Sequence, residues 1–160
     1  MKEKKKIPLG IFIAGFLWGV AFTFFCGVIL LRHTIISEFR SKENFQKTIV
    51  DLTHNIKQQK GWMVKQAGCS LPKTKDGTKI ITLKLCNLKY ANELLSDDSS
   101  KKIATMIPCS FAVYEKKDGN TYISKINLDI MGLILGGELG KILYTKIADD
   151  QKKMIENIIE

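Results

Sequence analysis

Two cysteines at predicted strand ends are the residues of this chain that are best placed to do chemistry. Cys86 follows the apolar segment KIITLKL and precedes Asn87, and Cys109 follows Pro108 at the start of the segment SFAVYE. A thiol close to a helix N-terminus is favoured as thiolate, which is the form that binds soft metals and exchanges disulfides. We therefore take Cys86, Asn87, Pro108 and Cys109 as a candidate ligand or thiol site.

Three interpretations of the two cysteines stay open. They form a reversible thiol pair or soft-metal site, or a structural disulfide, or they are buried cysteines that act as small apolar side chains. Alternation along the strands favours the last, because Cys86 faces away from Leu85 whereas Cys109 shares a face with Phe111 and Val113. The pair forms one site only if Cys86, at the strand end, is released from the pleat.

The sequence shows no other group of residues whose types and spacing indicate a catalytic or metal-binding site. His33 and His54 have no Cys or His partner at helical spacing, and there is no CxxC motif. The pair Asp149-Asp150 is interpreted as solvated. Metal and cofactor stay unassigned, no residue is assigned a catalytic role, and an enzyme is the least favoured class. Four glycines lack phosphate-loop spacing and are interpreted as helix punctuation: Gly132, Gly136, Gly137 and Gly140.

A long uncharged segment near the N-terminus predicts a membrane anchor. No charged residue occurs from Ile7 to Leu31, and a helix of this length, at about 1.5 Å per residue, crosses a hydrocarbon core of about 30 Å. The segment exceeds the apolar region of roughly 7–15 residues in a signal peptide, and no small-residue cleavage site follows it. Residues 7–31 therefore predict one transmembrane helix, with the lipid bilayer as its partner.

The charges on either side of this helix predict its orientation. Four lysines precede it within residues 1–6, which indicates a cytoplasmic basic tail and places the C-terminal domain in the periplasm of a bacterium. The formal net charge is +9, but only two of the basic residues are arginines, Arg32 and Arg40, and the lysines are scattered among acids. Nucleic-acid recognition usually recruits clustered arginine, so no nucleic-acid partner is expected.

The remaining chain predicts an α+β domain over residues 41–160. Residues 32–40 form a linker or a first strand, and Ser41 is expected to cap a helix that ends before Gly61. Asn87 is expected to cap a short helix. Residues 97–102 are expected to form a polar loop. This order predicts a mostly antiparallel sheet with helices on one face. The expected strands are 62–71, 79–85, 107–115 and 121–126, and the later helices are 128–135 and a long one from Leu139.

The motifs at the strand ends resemble the bacterial and archaeal family of domain of unknown function 302. The resemblance rests on Gly61-Trp62, Cys86-Asn87 and Ile107-Pro108-Cys109, followed by the strand FAVYE, and it covers residues 39–159. The chain departs from the family pattern at Leu88, where proline is expected. The resemblance implies a compact α+β fold similar to the TATA-binding-protein class, with homodimers as the assembly. It implies no activity.

Two functional hypotheses follow from the sequence. The first is a membrane-anchored extracytoplasmic binding or redox-accessory domain that uses the Cys86 and Cys109 site for an unidentified ligand. The alternative is a dimeric interaction or scaffold domain whose cysteines are structural and do no chemistry.

Overall fold

The computed structural model of the chain describes residues 9–66, 74–107 and 109–160, which divide after Thr34 into two units. Several sequence predictions lie outside the described residues. They are the basic tail of residues 1–6, the end of the predicted strand at 67–71, which includes Cys69, and the candidate site residue Pro108.

The first unit is one α-helix, α1 (Leu9–Thr34). Its segment Gly10–Leu30 is long and apolar enough to cross a membrane, and its apolar residues occur on all sides of the helix, as in a segment surrounded by lipid. The helix extends three residues beyond the predicted end at Leu31. Of the two alternatives predicted for residues 32–40, a linker or a first strand, the structure has the strand, which begins at Ile36.

The second unit is built on an antiparallel sheet, as predicted. The five strands that the described residues form lie in the order β1-β5-β4-β3-β2, and every neighbouring pair is antiparallel. The register places Leu85 opposite Cys109, and Val113 between Ile81 and Ile123. The strands are β1 (Ile36–Arg40), β2 (Trp62–Gln66), β3 (Ile80–Asn87), β4 (Cys109–Glu115) and β5 (Thr121–Ile126).

Helices cover one face of this sheet. One prediction about them is wrong, because residues 98–102 belong to a 3-10 helix instead of a loop. The predicted long final helix is present and contains a π-helical turn. In that turn the Thr145 hydroxyl donates to the Lys141 carbonyl at 2.7 Å, a side-chain bond that competes with the regular backbone ladder. The elements are α2 (Phe45–Gln58), α3 (Leu88–Leu95), the 3-10 helix (Asp98–Met106), α4 (Leu128–Leu135), α5 (Gly137–Ile142), the π turn (Leu143–Ile147) and α6 (Ala148–Ile155).

Asparagine side chains begin three of the helices. Asn87 caps α3 as predicted, and Asn127 accepts from the Ile130 amide at the start of α4. The predicted cap of α2 at Ser41 is wrong, because Asn44 accepts from the Lys47 amide at 3.0 Å. Ser41 is instead buried, with its hydroxyl 2.7 Å from that of Thr48.

The hydrophobic core lies between the helices and the inner face of the sheet. Phe111, Val113 and Ile123 are fully buried at its centre. Alternation along the strands puts these residues on one face, so their burial follows from the sequence pattern. The helices contribute Leu52, Ile56, Leu128, Leu143, Ile147, Met154 and Ile155 to the same core.

The four glycines interpreted as helix punctuation serve two purposes. Gly136 and Gly137 have φ values of +62° and +59°, which separate α4 from α5 and confirm the interpretation for this pair. Gly132 and Gly140 lie inside helices and bring the backbones of α4 and α5 into contact. For this second pair the interpretation is wrong, because what the glycines provide is close packing.

Candidate functional site

A pocket lies at one end of the sheet, where β3 and β5 end and β4 begins. We call it the sheet-end pocket. Its walls are mostly apolar, and its volume is about 40 Å³. The sheet end, α3, the 3-10 helix, the π turn and α6 surround it. Its lining residues are Trp62, Leu85, Cys86, Asn87, Tyr90, Ala91, Leu94, Ile103, Met106, Ile107, Cys109, Ser110, Ile126, Leu128, Leu143, Ile147 and Gln151.

Both candidate cysteines line the sheet-end pocket. β3 stays regular through Asn87, so Cys86 is not released from the pleat and faces away from Leu85, the residue paired with Cys109. The two cysteines meet the same pocket because it wraps around the strand ends and reaches both faces of the sheet. Both are free thiols and partly buried. Their opposite orientations are unsuited to a disulfide, since a bridge requires converging Cβ atoms.

The Cys109 thiol is held in its protonated form. Burial, and then the neighbouring Cys86, raise the pKa of this thiol to about 11. The expectation that a helix N-terminus would favour thiolate is therefore wrong for Cys109, because desolvation dominates. A protonated thiol is a small apolar group and a weak donor, and it is a poor nucleophile at neutral pH.

We predict that Cys109 ionises only in strongly alkaline solution. Because its pKa is raised on folding, the stability that it contributes is complete below about pH 9 and is lost as the pH rises towards 11. The measurement is thiolate absorbance at 240 nm, taken as the difference between the wild type and Cys109→Ala. The same difference in denaturant should titrate near pH 9, and a folded midpoint near that value would contradict the assignment.

Asn87, the third candidate residue in the described chain, holds the pocket wall in place. Its side chain is buried and accepts from the amides of Lys89 and Tyr90 at 3.1 and 3.4 Å. Its amide group donates to the Lys60 carbonyl at 3.3 Å, next to Gly61. All these partners belong to the protein, so Asn87 joins α3 to the start of β2.

A hydrogen-bonded cluster that the sequence analysis missed forms one side of the pocket. The Trp62 indole N–H and the Tyr90 hydroxyl donate to the same oxygen, Oδ2 of Asp150, at 2.8 and 3.1 Å. The two rings meet edge to face with centroids 5.9 Å apart. Burial, and then the Asp150 charge, raise the pKa of Tyr90. The interpretation of Asp150 as a solvated residue is therefore wrong, because it joins α6 to β2 and α3.

Gln151 is the polar residue of the pocket whose bonding is incomplete. Its side chain is 2 % exposed, and its Oε1 is buried with no hydrogen-bond partner among the described residues. Leaving a buried acceptor unpaired costs about 1–3 kcal/mol. The only sequence signal for this residue was its place next to Asp150 at the start of a polar run, which indicated an exposed surface.

Metal-ligating side chains do not gather at this pocket. Within residues 9–66, 74–107 and 109–160, no group of three His, Cys, Asp or Glu side chains is close enough to hold one metal ion. The polar side chains that line the pocket are the two cysteines, Ser110, Gln151 and the internally bonded Trp62, Asn87 and Tyr90.

Comparisons with known proteins concern the second unit. The model of the family described as domain of unknown function DUF302 matches residues 37–160. The crystal structure of an uncharacterized conserved protein DUF302 from Bacillus stearothermophilus is similar, with a TM-score of 0.64 and 18 % sequence identity. The match covers 78 % of this chain and 98 % of that chain, and at this identity it shows the fold. No curated protein matches the sequence.

Proposed function

The chain belongs to the family of domain of unknown function DUF302, and from that premise we propose that it is a membrane-anchored binding domain. The sheet-end pocket receives a small, mainly apolar molecule that carries one hydrogen-bond donor, and Gln151 Oε1 accepts that donor. The unpartnered, buried oxygen of Gln151 is the observation that carries the proposal. The proposal assigns no thiol chemistry to Cys109, because burial raises the pKa of this thiol and keeps it in the unreactive protonated form at neutral pH.

The composition of the pocket favours such a molecule over a structural water. A buried water typically makes about three hydrogen bonds to otherwise unsatisfied groups. Here Asn87 and Tyr90 already have protein partners, and most of the wall is aliphatic or aromatic. A water molecule bonded to Gln151 would find few other hydrogen-bond partners in this pocket and would lose bonds that it makes in bulk water. A ligand with an apolar body would instead gain contacts with the apolar wall.

The volume of about 40 Å³ limits the ligand to a few heavy atoms. At a best efficiency of about 1.5 kcal/mol per heavy atom, a three-atom ligand binds with a Kd no tighter than about 0.5 mM. A larger ligand requires movement of the 3-10 helix, which contributes Ile103 and Met106 to the wall. Such short helices have weaker hydrogen-bond geometry than α-helices, so this wall is the one most readily displaced.

The experiment compares two probes with the same atoms, ethanol and dimethyl ether, of which only ethanol has a donor. Each is titrated into the full chain in neutral detergent, and the Trp62 indole N–H signal is followed by nuclear magnetic resonance. We expect ethanol to bind in the millimolar range and at least ten times more tightly than the ether. Gln151→Leu should abolish the difference while raising stability, because it removes the unpaired oxygen.

Gln46→Leu is the matched control, since Gln46 is exposed on α2 and should leave both affinities unchanged. Equal binding of the two probes, or an undiminished difference in Gln151→Leu, would refute the role of Gln151. Absence of binding by either probe would refute the pocket as the ligand site.

The cellular location that we propose is the bacterial cytoplasmic membrane, with the N-terminus in the cytoplasm and the domain in the periplasm. The apolar segment Gly10–Leu30 and the four lysines before it support this orientation. Lys65 is exposed on β2, so Lys65→Cys should react with a membrane-impermeant maleimide in intact cells beyond the wild-type level. Extra labelling that requires broken cells would reverse the orientation.

A homodimeric scaffold is the second candidate, favoured by the outer face of the sheet. The helices cover the other face. The outer face carries the small residues Ser110, Ala112 and Ser124 beside the stacked Tyr114 and Tyr122, and in the proposed dimer a second sheet packs on this mixed surface. Cys109, as a protonated thiol, is then structural. Sedimentation of the detergent-solubilised chain distinguishes the candidates, because the scaffold requires a dimer and the pocket does not.

A further inference from the structure

Lys125 places a positive charge on the inner face of the sheet. It follows Thr121 and Ile123 at alternating positions of β5, and its side chain is only 6 % exposed. Within the described residues, no hydrogen bond and no ion pair within 4.0 Å reaches its ammonium group. Burial lowers the pKa of Lys125, and the Asp129 charge opposes this effect from a distance. The ammonium nitrogen is not among the fully buried side-chain atoms that lack a partner, so the side chain is largely desolvated while its charged end keeps access to solvent. A cation in this position loses hydration that a bound anion can replace.

A groove lies beside this ammonium group, on the side of the sheet that carries β1. We call it the Lys125 groove, and its volume is about 180 Å³. Phe39, Ile155 and Ile159 form an apolar wall. The polar lining residues are Ser37, Lys125, Asn127, Asp129, Lys152 and Glu156. None of the residues that line the sheet-end pocket lines this groove, so the two are separate sites.

The charges around the groove leave Lys125 as the group that needs an anion. Asp129 accepts from Lys152 at 3.3 Å, so this carboxylate already has a cationic partner. Lys152 also lies 3.7 Å from Asp149. Glu156 lines the groove as an exposed carboxylate and forms no ion pair with a described residue. It lies beyond 4.0 Å of Lys125 and leaves the ammonium group unneutralised.

We propose that the Lys125 groove binds a small carboxylate that carries a short apolar tail. The carboxylate contacts the Lys125 ammonium, and the tail packs against Phe39, Ile155 and Ile159. A tail fits because Phe39, Ile155 and Ile159 line the same groove, where aliphatic carbon gains apolar contacts. A charge-assisted bond in a partly dry site is stronger than one between neutral groups, so the charge of the ligand is decisive.

The test titrates butyrate into the full chain in neutral detergent, with two comparison probes. Butyramide has nearly the same shape without the charge, and acetate has the charge without the tail. We expect butyrate to bind at least tenfold more tightly than either, with shifts of the backbone amide signals of Phe39 and Ile155. Equal affinity for butyrate and butyramide overturns the proposal, and it does so without any variant.

Variants of Lys125 provide the second arm. Lys125→Met keeps the apolar stem and removes the charge, so butyrate binding should fall at least tenfold while the thermal unfolding midpoint rises. Lys65→Met, on the exposed surface of β2, should change neither quantity. Unchanged butyrate affinity in Lys125→Met overturns the proposal. Gln151→Leu should leave butyrate binding intact, which separates this site from the sheet-end pocket.

Discussion

Replacing Trp62 by alanine is expected to lower the free energy of unfolding of the second unit by about 4 kcal/mol. Trp62 is 6 % exposed, packs in the core and meets Tyr90 edge to face. Truncation of a buried tryptophan removes its packing and leaves a cavity, which typically costs about 3–5 kcal/mol. The substitution also removes one of the two side chains that donate a hydrogen bond to Asp150. The measurement is urea unfolding of the full chain in detergent, followed by circular dichroism.

Two further variants separate packing from hydrogen bonding. Trp62→Phe keeps an aromatic ring and loses the indole N–H, so we expect a smaller loss of about 2 kcal/mol, the usual net worth of a hydrogen bond to a charged group. Trp18→Phe, within α1, should leave the urea transition of the second unit unchanged. Equal losses for Trp62→Phe and Trp62→Ala would show that the bond to Asp150, rather than burial of the ring, holds this wall of the pocket.

Gly140→Ala is expected to destabilise the second unit by about 2 kcal/mol, although alanine favours helices. A Cβ atom at Gly140 would collide with the Gly132 carbonyl oxygen, and one at Gly132 would lie 2.7 Å from the Gly140 oxygen. Because the obstacle is backbone, α4 and α5 must separate, and overpacking of this kind costs up to about 3 kcal/mol. The intrinsic preference of a helix for alanine returns about 1 kcal/mol.

A comparison of single and double variants checks the cause of this effect. Gly132→Ala should be destabilising to a similar extent, and the double variant should lose less than the sum, because one separation of the helices accommodates both methyl groups. Lys141→Ala, at the exposed neighbour of Gly140, is the control and should have little effect. If Gly140→Ala is neutral or stabilising in urea unfolding, the close approach of the two backbones is not required by the fold.

Local patterns in the sequence determined the secondary structure well. The alternation of apolar residues predicted β3, β4 and β5, because a pleated strand sends alternate side chains to one face. The turn at Gly119, with φ of +77°, follows from its Asp-Gly pair. Asn87 was correctly predicted to cap α3, since a short polar side chain can satisfy the first amides of a helix. The uncharged segment likewise predicted α1.

The arrangement of the candidate site was decided by tertiary structure. The strand pattern correctly put Cys86 and Cys109 on opposite faces, but only the assembled fold shows a pocket that wraps the sheet end and reaches both. Asp150 and Gln151 lie in a polar run that indicated an exposed surface, yet contacts distant in sequence bury Gln151 and join Asp150 to Trp62. Periodicity records which residues share a face, whereas burial depends on which elements pack against that face.

Lys125 shows both what the sequence determines and what only the tertiary structure decides. Its position on the inner face of β5 follows from alternation with Thr121 and Ile123, so the sequence determined that a charge points towards the helices. Within the described residues Lys125 has no anionic partner, and this could not be read from the sequence, because Asp129, four residues away, is bound by Lys152 of α6. Local spacing fixes the direction of a side chain, and the long-range fold decides which charges are left to bind a ligand.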